Sequence, residues 1–116
     1  MTSSTYPRTH LRISLTREIA FGPGKAALLE AIGELGSIAA AGRKLNMSYK
    51  RAWTLVEAMN RDFAEDLVSA NRGGREFGGA SLTESGRTVL SLYRDMSEKT
   101  DSVIHAQLAQ LRGLIN

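Results

Sequence analysis

The chain is predicted to fold as a mainly α domain with one small β-hairpin, and three observations predict it. Residues 37–45 and 48–63 are two apolar-periodic segments separated by only Asn46 and Met47. Residues 71–79 hold four glycines between two short strand-like runs. A last apolar stripe begins near Val89 and continues to Ile115. Two helices across a tight turn, a hairpin and a long helix describe a winged helix-turn-helix followed by a long C-terminal helix.

Taken in order, residues 1–10 read as a disordered lead. Leu11-Arg12-Ile13-Ser14-Leu15 alternates apolar and polar residues, as a half-buried strand does. Gly22-Pro23-Gly24 breaks the chain, and a first helix is predicted from about Lys25 to Leu35, with Leu28, Leu29, Ile32 and Leu35 as its buried stripe. Gly36 ends it. Ser37 caps a second helix that runs to about Leu45 and turns Ile38, Ala41 and Leu45 inward. Gly42 lies inside this helix, where glycine costs about 1 kcal/mol relative to alanine; close packing of a crossing helix accounts for it. Asn46 suits the left-handed turn that follows.

Ser48 caps the third helix, which is predicted to run to about Phe63. Ala52, Leu55, Val56, Met59 and Phe63 form its core stripe. Ser48, Lys50, Arg51 and Thr54 lie away from that stripe and offer hydroxyls, an ammonium and a guanidinium near the helix N-terminus. Those are the donors with which a recognition helix meets base edges and phosphates. Tyr49 and Trp53, one turn apart on the flank of this helix, read as packing residues between the core and the DNA-facing surface in preference to a platform on which bases stack.

Residues 67–70 and 80–82 are predicted strands, and the glycine-rich segment between them is a hairpin tip. After a helix-turn-helix such a hairpin is a wing, whose Arg72 and Arg75 would reach a flanking minor groove or the phosphate backbone. The glycines lack the Gly-Lys-Ser/Thr ending of a phosphate-cradling loop, so nucleotide hydrolysis has no support. Thr83 caps the last helix, with Glu84 in its first turn. Val89, Tyr93, Met96, Thr100 and Val103 recur at helical spacing, and Ile104, Leu108, Leu111 and Ile115 continue the stripe one position on. A helix of about 28 residues would be about 42 Å long, too long for this domain to cover. A second copy of the chain is the simplest partner for the remainder.

Composition narrows the class. With 116 residues, 42% hydrophobic and 23% charged, the chain is ordinary for one globular domain. It has no cysteine, so disulfides and thiolate metal sites are excluded, and His10 and His105 are its only histidines. No apolar run approaches the roughly 20 residues of a membrane span, and the N-terminus lacks a secretory apolar region, so a cytoplasmic location with no membrane partner is expected. The net charge is only +3, but residues 37–61 carry five basic residues (Arg43, Lys44, Lys50, Arg51 and Arg61) against the single acid Glu57. Residues 84–112 are balanced at four of each sign. One basic face beside a neutral helix suits contact with phosphates. No catalytic constellation emerges, and neither an enzyme nor a cofactor is expected.

At Met47-Ser48-Tyr49-Lys50-Arg51-Ala52-Trp53 the chain resembles the DNA-binding domain of the ModE-type molybdate-dependent transcriptional regulators. The resemblance extends to Gly22-Pro23-Gly24-Lys25, Gly36-Ser37-Ile38 and the run from Gly78 to Gly86, and covers about residues 11–93. The helix-turn-helix is similar, more loosely, to that of the LysR-type regulators. What the resemblance implies is a winged helix that dimerises through its C-terminal helix and binds double-stranded DNA at a palindromic operator, in a setting of molybdate uptake or molybdoenzyme genes. It places the recognition residues at Ser48, Tyr49, Lys50 and Arg51. With Ser37, Arg43, Lys44, Thr54, Arg72 and Arg75 these make up the expected DNA contacts. The division implied is 1–10 lead, 11–83 winged helix-turn-helix and 84–116 dimerisation helix.

Two departures from the family pattern stand out. No strand-rich segment follows the last helix, so the chain reads as a stand-alone form and no molybdate site is expected within it. Glu76 and Phe77 interrupt the glycine run of the wing, and an acid there opposes phosphate. Two other readings differ in kind: a winged-helix protein-interaction module without specific DNA binding, and more distantly a small-molecule sensor. Salt separates the first from a DNA reader, because only a binder that neutralises phosphates loses affinity steeply as salt rises.

Overall fold

The computed structural model describes residues 6–70 and 79–116. Its elements are β1 (Ile13–Ser14), β2 (Ala20–Phe21), α1 (Pro23–Leu35), α2 (Ile38–Lys44), α3 (Tyr49–Asp62), β3 (Val68–Ala70), β4 (Ala80–Leu82), α4 (Glu84–Val103) and α5 (His105–Gly113). One apolar core joins them, and every helix except α5 sends buried side chains into it. The fold is the mainly α winged helix expected.

The N-terminal strand is shorter than its alternation suggests. Only Ile13 and Ser14 pair, antiparallel, with Phe21 and Ala20 of β2, a strand too short to show a period in sequence. Gly22-Pro23-Gly24 does not break the chain but starts α1. Gly22 is the extended N-cap and Pro23 occupies the first turn, where its missing N–H is no loss. Helix α1 ends at Gly36, whose φ of 70° is left-handed and whose N–H reaches the Ile32 carbonyl at 2.8 Å. Leu28, Leu29 and Ile32 are buried as expected, whereas Leu35 turns outward beside this cap.

The helix-turn-helix forms as its caps dictate. The Ser37 Oγ accepts from the Ala40 N–H and the Ser48 Oγ from the Arg51 N–H, at 3.1 and 3.0 Å. Between them Asn46 takes φ 59°, and the Gly42 carbonyl accepts from the N–H groups of Leu45 and Met47. Gly42 is buried; a Cβ there would meet the Ala52 Cβ at 3.3 Å and the Met47 carbonyl oxygen at 3.4 Å. The glycine therefore lets α2 cross α3 closely.

Asn60, near the end of α3, fastens that helix to the wing. Its Oδ1 accepts from the N–H groups of Leu67 and Val68 at 2.8 and 3.1 Å, and its Nδ2 donates to the Val68 carbonyl at 3.0 Å. Strands β3 and β4 pair antiparallel with Val68 opposite Leu82 and Ala70 opposite Ala80. On its other edge the start of β4 meets the turn before α2: the Ala80 N–H donates to the Gly36 carbonyl at 2.9 Å, and Ser37 bridges Gly79. The base of the wing is thus tied to both ends of the helix-turn-helix.

The last helix is not continuous. Backbone at Ile104 departs from helical values (φ −103°, ψ 19°) and separates α4 from α5. The apolar stripe shifts by one position at this residue, so a straight helix could not keep both halves on one face. Only Gly86, Leu90 and Tyr93 of α4 are buried, while Met96 and Val103 of the expected stripe are exposed. Phe21 contacts Tyr93 and Phe63 edge-to-face at 5.4 and 6.4 Å, joining β2, α3 and α4. The Tyr93 hydroxyl donates to the Leu11 carbonyl at 2.6 Å, and burial raises its pKa. Thr9, within the segment expected to be a disordered lead, donates from both N–H and Oγ1 to Asp101 at 2.8 and 2.7 Å. That tether joins residues 92 apart and has no local sequence signal. The described residues extend over 55 × 29 × 22 Å, because α4 and α5 run beyond the core.

Two substitutions test this framework. A Cβ at Gly86 would be driven into the Leu67 carbonyl, which is backbone and cannot swing aside, so Gly86→Ala is expected to destabilise the fold by about 1–3 kcal/mol in urea unfolding. Asn60→Ala strands the N–H groups of Leu67 and Val68 and is expected to cost about 2–4 kcal/mol. Amide exchange should then accelerate at Val68 before it does in α1.

Candidate nucleic-acid interface

Helix α3 owes its orientation to one face. Ala52, Val56 and Met59 are buried, so Tyr49, Lys50, Arg51, Thr54 and Arg61 are left exposed along the rest of the helix. Capping uses one acceptor of the Ser48 hydroxyl and leaves its proton available to an outside oxygen. The Thr54 hydroxyl donates to the Lys50 carbonyl at 2.9 Å, so it faces outward as an acceptor with a methyl group beside it. Among the described residues, no carboxylate lies within ion-pair distance of Arg43, Lys50 or Arg51. These three cations are exposed and available to an external anion.

Lys44 differs. Its Nζ lies 2.9 Å from Glu34 Oε1 of α1, with both side chains about half exposed. The hydrogen bond to Glu34, and then its charge, hold the ammonium pKa above the ordinary lysine value. Lys44 is therefore fully charged but already partnered. Ser37 is half-buried and serves as the α2 cap. Arg72 and Arg75, expected at the wing tip, lie outside the described residues.

The aromatic pair spans the boundary between core and surface. Trp53 is half-buried, but Tyr49 is 60% exposed and stands at the first position of α3. The two rings meet edge-to-face at 6.2 Å with an interplanar angle of 74°. Tyr49 belongs to the exposed head of the helix, and Trp53 behind it packs against the core.

Two residues that position this surface escaped the sequence reading. Asn60 and Glu34 act on partners brought near only by folding: Asn60 on the start of β3, and Glu34 on a lysine of the next helix. Neither type is unusual on a helix surface, so no local signal marked them. Elsewhere, a groove of about 520 Å³ lies between residues 8–10, the start of α1 and α4. Its lining mixes Arg8 and Arg94 with Glu30 and Asp101, and Arg94 pairs with Glu30 at 2.9 Å. Among the described residues no cluster of histidine and carboxylate could hold a metal ion, and no helix is long and apolar enough to cross a membrane.

This geometry has known counterparts. The chain is 47% identical over 72 residues to the molybdenum-pterin-binding protein MopB of Rhodobacter capsulatus, covering 62% of this chain and 27% of that protein. It is 36% identical over 102 residues to the molybdenum transport protein ModE of Azotobacter vinelandii, covering 86% and 38%. Against the transcriptional regulator ModE of Haemophilus influenzae it is 38% identical over 90 residues, covering 78% and 35%. The chain thus spans roughly a quarter to two fifths of the length of these relatives. Among solved structures, the CbnR DBD–DNA complex matches 76% of this chain and 95% of its own, with a TM-score of 0.60 and 22% identity. ArgP from Mycobacterium tuberculosis matches 78% and 30%, with a TM-score of 0.51 and 23% identity; both likenesses are of fold. Residues 25–87, which contain most of α1, the helix-turn-helix and strands β3 and β4, match the bacterial regulatory helix-turn-helix proteins of the lysR family, and the chain belongs to that family.

Proposed function

We propose that the chain is a sequence-specific DNA-binding transcriptional regulator that acts as a homodimer on a palindromic operator. The observation that carries this reading is the exposed cationic head of α3, without an ion-pair partner among the described residues and held by a buried apolar underside and a tight crossing with α2. In this reading α3 enters the major groove. Arg51 presents a guanidinium suited to bidentate contact with guanine, and Lys50 reaches a base edge or phosphate. Ser37, Ser48, Tyr49 and Thr54 border the groove, Arg43 adds a phosphate contact, and Arg72 and Arg75 reach phosphate from the wing. Lys44 stands beside Arg43, restrained by Glu34, and gains a full phosphate contact only when released. The lead, the DNA-binding unit and the pairing helix divide at residues 10 and 83.

Pairing draws on α4. Leu92, Met96 and Val103 are 57%, 41% and 80% exposed and fall on one flank of the helix at four- and seven-residue spacing. A second copy on this flank removes them from water and sets two recognition helices about 34 Å apart along DNA. The link to molybdate uptake or molybdoenzyme genes rests on the names of the relatives, a molybdenum transport protein and a molybdenum-pterin-binding protein among them. The reading places the protein in the cytoplasm, assigns it no cofactor, no catalysis and no membrane partner, and puts no molybdate site within these residues.

Three measurements test it. Arg51→Ala is expected to weaken binding to sequences selected from genomic DNA by about 1–3 kcal/mol and to relax selectivity at one base position; unchanged affinity and selectivity would remove Arg51 from recognition. Glu34→Gln releases Lys44, so the logarithm of random-duplex affinity should fall with the logarithm of salt more steeply by about 0.9. Met96→Asp is expected to yield monomers in sedimentation without loss of helicity, and binding to a two-half-site operator should weaken far more than binding to a single half-site. Affinity for any partner that is insensitive to salt would favour a protein-interaction module instead.

A further inference from the structure

We propose that Tyr49 reads thymine, by packing its ring against the 5-methyl group in the major groove. The inference rests on the DNA-binding reading above and names the base that one position of the site selects.

Three observations converge on this side chain. Tyr49 is the first residue of α3, directly after the Ser48 cap and beside the exposed Lys50. The residue is 60% exposed, whereas Phe21 and Tyr93 are buried and Trp53 and Phe63 are half-buried in the same domain. The ring is also braced, because Trp53 meets it edge-to-face at 6.2 Å one helical turn later. A braced aromatic ring loses little conformational freedom when it binds, so apolar contact that it gains on association is retained in the affinity.

Helical arithmetic places the ring. Residues 49, 53 and 60 fall within about 40° of one another around α3 at 100° per residue, and Asn60 is the residue that ties α3 to β3. Tyr49 therefore stands on the flank of the helix that also carries the wing tether, beside Lys50. A side chain there would meet the edge of the base pairs next to those contacted by Lys50 and Arg51. In the major groove, base edges present hydrogen-bonding atoms, with one large apolar exception, the thymine methyl. A ring flank set against N7 or O6 of guanine would strip those acceptors of water without replacing it. Against the methyl it removes apolar surface from water on both sides.

The experiment uses the full chain and duplexes that it selects from a random-sequence pool. Each thymine of a selected duplex is replaced in turn by deoxyuridine, which removes the methyl group and keeps every hydrogen-bonding atom. At one or two positions per half-site the replacement is expected to lower wild-type affinity about fourfold, the effect of one buried methyl-sized group. Tyr49→Phe keeps that penalty because the ring remains. Tyr49→Ala loses it, binding thymine and uracil duplexes alike, while its far-ultraviolet helicity and its salt dependence on random duplex stay those of the wild type. Wild-type indifference to every replacement, an undiminished penalty in Tyr49→Ala, or a penalty lost in Tyr49→Phe overturns the proposal. If the chain selects no sequence and its binding to duplex DNA does not weaken with salt, the DNA-binding reading itself fails, so the two failures are distinguishable.

Discussion

The close crossing of α2 and α3 at Gly42 is the constraint on which the rest of the structure depends. No side chain separates the two backbones there, and a methyl group would already press on Ala52 and on the Met47 carbonyl. The Gly42 carbonyl also gathers the N–H groups of Leu45 and Met47, so one residue sets both the crossing and the turn. With Asn46 in the left-handed region, the chain has little choice in how it leaves α2 and enters α3. The helical penalty of glycine, about 1 kcal/mol, is offset by a fixed angle between the two helices. The exposed head of α3 inherits its direction from that angle.

Around this crossing, polar contacts orient elements more than they stabilise them. Helix α1 carries Glu30 and Glu34 one turn apart, and each faces a cation from a different helix, Arg94 of α4 and Lys44 of α2, at 2.9 Å. Exposed pairs of this kind contribute little to stability, but they set where those long side chains rest. Asn60 is different in kind, because its partners are backbone groups at the start of a short strand. A three-residue strand cannot hold its own register, so the wing borrows rigidity from the helix beside it. The same wing is anchored on its far edge to Gly36 and Ser37, and hence moves with the cap of α2.

The outer part of the molecule follows a different logic. Helix α4 contributes Gly86, Leu90 and Tyr93 to the core, then leaves it. Past that point its apolar residues face solvent, and α5 has none buried. The tether from Thr9 to Asp101 and the bond from Tyr93 to Leu11 bind the N-terminal segment along α4. Of the two, the contact at Asp101 reaches the stretch of helix that lies beyond the core.

Much of this was legible in the residues themselves. The caps at Ser37, Ser48 and Thr83, the left-handed turn at Asn46, the buried glycine in α2 and the apolar face of α3 are local properties. They depend on hydrogen-bonding geometry and on a period of 3.6 residues that reads directly from the chain. The break at Ile104 is not legible in this way: the single long helix expected runs through the one-residue shift of the apolar stripe there, because a shift alone does not say whether a helix continues, bends or ends. The tertiary structure decided which exposed residues were free and which were occupied. It paired Lys44 with Glu34, bound Thr9 to Asp101, turned Leu35 and Tyr49 outward, and enlisted Asn60 to hold the wing. Each of these outcomes depends on groups far apart in sequence meeting within a few ångströms, and local periodicity carries no information about such meetings. Sequence by itself determined the type of element and the face it buries, because backbone sterics and burial act residue by residue; the state of each surface side chain was settled only when the helices packed.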